Sequence, residues 1–205
     1  MTWPFAHLWD GAMTFAEAVE ASAPQHKGLW EAVHRTARIP DELVAAAAAL
    51  GRRFRLLTIV EDWCGDATNT IPVIVRWVEQ LPNAEIRLVR RDEHPDLMDA
   101  YLTGASRSIP VVVVLTGEME EVGHWGPRPS ELQAWVVERK RGGAGKEIYP
   151  EIRKWYAKDK GESTLREILA VMALAPGHRA GRPYRAAGEG QAGQEEVGRR
   201  VSTPW

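Results

Sequence analysis

Apolar positions along the chain recur in two alternating rhythms. Leu56-Leu57-Thr58-Ile59-Val60 is a run of strand length, and Ile71, Ile74, Val75 and Val78 follow at the i, i+3, i+4, i+7 spacing of a helix face. That helix is expected to reach about Leu81, with Pro82-Asn83 marking its end. Residues 85–90 then alternate, Ile86 and Leu88 against Glu85 and Arg87, which predicts a second strand. A short helix should start near His94, with Pro95 at its first position. This β, α, β, α order implies parallel strands joined by crossover helices. The next two strands, 111–115 and 118–123, read as a hairpin joined by Thr116-Gly117, and a last core helix begins near Ser130. The expected fold class is α/β: a mixed sheet with helices on both faces.

Helical patterns flank this unit. Thr14 with Glu17 is a capping-box signature ahead of Phe15, Ala18 and Val19. A second helix holds Leu29, Trp30, Val33 and Ala37, and Pro40 ends it. These segments read either as a structural cap over the sheet or as a lid carrying Trp3, Trp9 and Trp30 to a partner. From Asp41, the residues Leu43, Ala46, Ala47 and Leu50 suit a helix on a sheet, with Gly51 just past its end. Beyond Lys140 comes a glycine-rich linker, Arg141 to Gly145, and then helical spacing in Ile148, Ile152, Trp155 and Tyr156. Thr164 and Glu167 suggest a second capping box before Leu165, Ile168, Leu169 and Met172. The expected organisation is a helical N-terminal extension over 1–40, a core domain over 41–140, a helical C-terminal extension over 146–175, and a disordered tail over 176–205, where glycine, proline and arginine dominate.

Composition narrows the function classes. At 205 residues, one main domain with extensions is the natural expectation. A formal net charge of −2 offers no basis for binding nucleic acid or an acidic membrane surface. No apolar stretch approaches the roughly 18 residues of a membrane-spanning helix, and the N-terminus lacks the pattern of a signal peptide. A cytoplasmic location is expected. The single cysteine excludes an intramolecular disulfide. His7, His26, His34, His94, His124 and His178 include no pair at helix-adjacent metal spacing, so no metal site is expected. The segment Gly123 to Pro129 reads as a Gly/Pro turn with Trp125 as packing, or as part of a site rim.

That cysteine lies in Glu61-Asp62-Trp63-Cys64-Gly65-Asp66-Ala67, where the first strand ends and a helix begins. Free N–H groups and the positive end of the helix dipole favour a thiolate there. Asp66, Glu61 and Asp62 push the other way, because nearby negative charge favours the neutral thiol. One of these carboxylates could instead accept the thiol's proton; ordinary capping and solvation is the other reading of all three. Gly65 would let a partner backbone approach closely.

Trp63-Cys64-Gly65-Asp66-Ala67 resembles the Trp-Cys-Gly-Pro-Cys active site of the thioredoxin superfamily. Pro72 inside the following helix, Ser108-Ile109-Pro110 before Val111 to Leu115, and the hairpin after it fit the same resemblance. It implies a thioredoxin-like fold over about residues 41–140, with Cys64 as nucleophile and Trp63 as a docking platform. It further implies that Pro110, in the cis form, sets the Ile109 backbone beside Cys64 to pair with a substrate chain. Arg107 would hold the carboxylate of a glutathione-like thiol, or is simply solvated. Two positions depart from the pattern. Ala67 replaces the second cysteine, and Thr58 stands where thioredoxins bury an aspartate. The resemblance therefore implies monothiol thiol–disulfide exchange on a protein disulfide or small thiol. An external thiol such as glutathione would act as co-substrate, without a bound cofactor. The alternative is a non-catalytic binding module or thiol sensor. Oligomeric state is left open.

Overall fold

The structure, a computed structural model, describes residues 3–175, so the tail expected over 176–205 lies outside the described residues. Strands β1 (Phe54–Val60), β2 (Ala84–Arg90), β3 (Val111–Thr116) and β4 (Glu121–Trp125) form one sheet in the order β2-β1-β3-β4. β1 and β2 are parallel, whereas β3 is antiparallel to both β1 and β4. The two central strands are the near-continuous apolar runs of the sequence. Every residue of β3 is buried, as is every residue of β1 except Arg55, because helices cover both faces.

The N-terminal helices are α1 (Phe5–Gly11), α2 (Phe15–Glu20) and α3 (Pro24–Thr36). They share the main hydrophobic core through Phe5, Trp9, Val19 and Trp30. Met13 and Leu88 exchange two backbone hydrogen bonds, each 2.8 Å, which extends the sheet past β2 by one residue. The capping box forms: Thr14 Oγ1 accepts from Glu17 N–H, and Glu17 accepts from Thr14 N–H at 2.7 Å. Trp9 and Trp30 are buried, so these rings pack the core and are not carried outward on a lid. Leu29 departs from its expected place on the apolar face. Trp30 occupies the inward position, and Leu29, about 100° round the helix, is left 58% exposed.

Helix α4 (Asp41–Ala48) precedes β1, α5 (Gly65–Val78) links β1 to β2, and the short α6 (Pro95–Asp99) follows β2. α5 ends at Val78, three residues before the expected Leu81. β4 begins at Glu121 instead of 118, because the connection takes more residues than Thr116-Gly117. Thr116 Oγ1 accepts from the N–H groups of Glu118 and Glu120, and Met119 adopts φ +66° within the turn. A bulge opposite Val114 and Leu115 shifts the side-chain alternation of β4. As a result Glu121 and His124 both reach Tyr101, whose hydroxyl donates to Glu121 Oε2 at 2.9 Å.

Helix α7 (Ser130–Arg141) leads through a glycine-containing turn and a 3-10 turn (Lys146–Ile148) to α8 (Tyr149–Asp159) and α9 (Glu162–Met172). α9 belongs to the main core. Gly123 lets it approach β4, since a Cβ there would stand 3.1 Å from Val171 Cγ1. α8 instead packs on α7 through a separate cluster, Leu132, Val136, Ile148, Ile152 and Tyr156. The second capping box does not form. α9 starts earlier, after Gly161, and this places Thr164 inside the helix with its hydroxyl buried and, among the described residues, unpartnered. Glu167 turns away to accept from Trp125 Nε1 at 2.7 Å and from Ser130 N–H at 2.8 Å.

Candidate active site

Cys64 occupies the cap position of α5, in extended backbone with φ −79° and ψ 115°. Its N–H donates to Glu61 O at 3.2 Å, closing the turn out of β1, and its carbonyl accepts from Thr68 N–H at 2.9 Å. The first turn of α5 is further tied by side chains. The Thr68 hydroxyl, Asn69 amide and Thr70 hydroxyl donate to the carbonyls of Cys64, Gly65 and Asp66 respectively, the i−4 bonding open to short polar side chains. The thiol itself lies 3.4 Å from the carbonyl oxygen of Ile109, to which it donates. The Ile109–Pro110 peptide is cis. Gly126, at φ +129°, presses on this loop so closely that a Cβ would stand 2.2 Å from Pro110 O. Cys64 is only 8% exposed.

The acidic neighbours separate into different tasks. Glu61 is buried; it accepts from Asp92 N–H at 3.0 Å and lies 3.8 Å from Arg90 Nη1. Asp62 accepts from Ala23 N–H at 2.7 Å, at the start of α3, and its carbonyl accepts from Trp30 Nε1 at 3.3 Å. Both therefore fasten the N-terminal helices and β2 to the site loop. Asp66 alone is engaged on the α7–α8 side. Its Oδ2 lies 2.5 Å from Arg128 Nη2, and its Oδ1 accepts from the Tyr156 hydroxyl at 2.9 Å. Thr58 is fully buried with its hydroxyl donating to Arg87 O at 2.7 Å, so no carboxylate stands beneath the thiol at that position.

Electrostatics follow from this enclosure. Burial pushes the Cys64 thiol up from its ordinary range, and the Asp66 charge adds to the rise. The backbone N–H of Ala67 and the Arg128 guanidinium act in the opposite direction without cancelling it. Burial, reinforced by Asp66, likewise holds the Tyr156 hydroxyl protonated far above the ordinary tyrosine range. At the rim, Trp63 is 52% exposed with the Arg91 guanidinium 5.0 Å from its ring centroid. The space beside Gly65 is open: apart from its chain neighbours and its own helix backbone, none of the described residues has a heavy atom within 4 Å of where a Cβ would lie. Ala67 is buried under the site. Arg107 is bound bidentately to Asp99, both contacts at 2.6 Å, and so does not stand free for a ligand carboxylate.

A family model described as thioredoxin matches residues 12–144, well over half of the chain. The chain belongs to the thioredoxin family. Among solved structures, a protein of unknown function from Pseudomonas aeruginosa is 22% identical, with a TM-score of 0.67 over 82% of this chain and 96% of that one. An HIV epitope-scaffold is 23% identical, with a TM-score of 0.65 over 82% and 96% of the respective chains. Both likenesses concern the fold. No curated protein matches the chain.

Within this thioredoxin-family frame the structure brings Trp63, Cys64, Gly65, Asp66, Ile109 and Pro110 to one place. It directs Glu61, Asp62 and Arg107 to structural partners around it. Arg128 and Tyr156 are neighbours that sequence reasoning did not select. Arg128 falls in the segment singled out for its density of unusual residues, but Tyr156 was legible only as one apolar position of a helix. Among the described residues, no group of three or more His, Cys, Asp or Glu side chains could hold a metal ion. Likewise, none of their helices is long and apolar enough to cross a membrane.

Proposed function

We propose that the protein performs monothiol thiol–disulfide exchange through Cys64. The observation that carries this reading is the Cys64 sulfur at the start of α5, 3.4 Å from the Ile109 carbonyl of the loop before β3. A substrate chain reaching that backbone would set its disulfide against the sulfur, and Gly65 leaves room for it. The Cys64 thiolate attacks one sulfur of R–S–S–R′ and forms a mixed disulfide, and R′S⁻ leaves and takes up a proton. Ala67 offers no second thiol, so an external thiolate R″S⁻ attacks the mixed disulfide. This forms R–S–S–R″ and returns the Cys64 thiolate. The substrate is a protein disulfide or a small-thiol disulfide, glutathione is the expected class of resolving thiol, and the reducing cytoplasm is the expected setting.

The raised thiol pKa slows this reaction without abolishing it. Each unit of rise removes about tenfold of the thiolate at neutral pH but makes the remaining thiolate about threefold more nucleophilic, given a Brønsted slope near 0.4–0.5. Incubation with oxidised glutathione, followed by acid quench and intact mass measurement, is expected to give one glutathione adduct that dithiothreitol removes and that Cys64→Ser lacks. If no adduct forms at any pH up to 9, the exchange reading fails. A second reading then takes its place: a thioredoxin-like binding module or thiol sensor. It is favoured by the enclosure of Cys64 and the engagement of Asp66.

A further inference from the structure

We propose that Asp66 and Arg128 form an electrostatic brake on Cys64, in which the carboxylate engages the guanidinium that would otherwise serve as counter-ion to the thiolate. The proposal concerns regulation of the same site and builds on the reading of Cys64 as its reacting group. Asp66 is the second residue of the helix that Cys64 caps, so its charge lies two positions from the thiol, within the first turn. Arg128 arrives from the other side, two residues after Gly126, whose backbone packs on Pro110 O. The pair is largely withdrawn from water, with side-chain exposures of 15% for Arg128 and 11% for Asp66. Tyr156 completes the restraint by occupying the second oxygen of Asp66, and α8 thereby latches onto the active-site helix. Arg128 is steadied by Gln133 Oε1, which accepts from its Nη1 at 3.0 Å, while its Nε is buried without a partner among the described residues. It therefore retains an unused donor and a full positive charge beside a site where negative charge would develop.

Among the described residues, the charged and titratable groups around the thiol are few. Asp66 comes from α5, Arg128 from the loop after β4 and Tyr156 from α8, whereas Glu61 and Asp62 on the preceding turn are turned to Asp92 and Ala23. In a low-dielectric site with this membership, removing the carboxylate charge leaves Arg128 as the dominant field on the sulfur. A partner that offers Asp66 another cation would release the brake by the same route. An opposite role, with Asp66 acting as the base that takes the thiol proton, predicts the opposite result when the carboxylate is lost.

The test is the pH dependence of iodoacetamide alkylation of full-length protein, compared across Asp66→Asn, Arg128→Gln and the double variant. Asp66→Asn keeps an acceptor for Tyr156. It should lower the alkylation midpoint by one unit or more, about tenfold more thiolate at any pH well below it. Arg128→Gln should raise the midpoint. The double variant, which leaves neither charge unpaired, should fall between Asp66→Asn and wild type, because Asp66 acts on the thiol more strongly than Arg128. An unchanged or raised midpoint in Asp66→Asn overturns the brake, and so does a double variant at or above the wild-type midpoint if Asp66→Asn fails to fold. Alkylation needs no disulfide substrate. The midpoints thus decide the brake, and the glutathione adduct separately decides the exchange reading.

Discussion

Glu167→Ala is the substitution that most directly tests how the C-terminal helices are joined to the rest of the protein. One carboxylate on α9 accepts from Trp125 Nε1 at 2.7 Å, Ser130 N–H at 2.8 Å and Ser130 Oγ at 2.5 Å. It thereby ties β4, the first residue of α7 and α9 at a single point. Trp125 is 2% exposed, so its indole N–H would lose its partner without access to water; such a stranded donor costs about 1–3 kcal/mol. The Ser130 groups lie at a helix N-terminus, where loss of a capping acceptor costs about 0.5–2 kcal/mol. Ser130 is only half-buried and water can replace part of that bond, so the expected total is about 2–4 kcal/mol. Urea unfolding followed by tryptophan fluorescence should show the fall, with a Tm lower by roughly 4–16 °C for a chain of this size. Glu167→Gln keeps an acceptor and should lose less than half as much. Trp125→Phe should remove the share of the difference between Ala and Glu at position 167 that the indole bond carries and leave the Ser130 share. A loss below about 1 kcal/mol in Glu167→Ala, or equal losses for Ala and Gln, would refute the idea that this carboxylate joins the three elements.

Two further outcomes follow from the geometry. Gly126→Ala would force a side chain into φ +129° and against Pro110 O, so it should lower stability by about 2–6 kcal/mol; in thermal melts, a variant as stable as wild type would contradict the close approach of the two loops. At high pH, Tyr156 and Tyr101 stay protonated in the folded protein but ionise near pH 10 when unfolded. The folded state then binds more protons, so their contribution is intact below pH 10 and is lost as pH rises above it, by roughly 1.4 kcal/mol per pH unit for each tyrosine. Cys64, shifted in the same direction, starts the decline nearer pH 8.5. Urea midpoints measured from pH 8 to 11.5 should fall with this curvature and fall less steeply above pH 10 in Tyr156→Phe, where Tyr101 still contributes; native phenolate absorbance rising fully near pH 10 would contradict both tyrosine placements.

Much of the fold was legible in the chain because it is recorded locally. β1 and β3 are apolar runs because both faces of a central strand are covered, and the helical spacing of Ile71, Ile74, Val75 and Val78 names the face of α5 that meets the sheet. The junction between β1 and α5 places Cys64 at a helix cap whatever the rest of the chain does. The Thr14–Glu17 capping box formed for the same reason: its partners are three residues apart.

What the sequence did not record is which distant groups meet. Thr164 and Glu167 carry a capping-box spacing as good as that of Thr14 and Glu17, yet Gly161 starts α9 earlier and Glu167 is drawn to Trp125 and Ser130. Glu121 and His124 share a side of β4 because a bulge shifts its alternation. Glu61, Asp62 and Asp66 look alike as acids near a thiol, but their roles were assigned by what packs against each: β2 and its following turn, α3, and the pair of Arg128 and Tyr156. The physical reason is range. Periodicity and caps express interactions within a few residues, which determine element type and inward face. The charge and burial of Cys64 depend on residues 62 and 90 positions beyond Asp66, and only the closed topology brings them within reach of it.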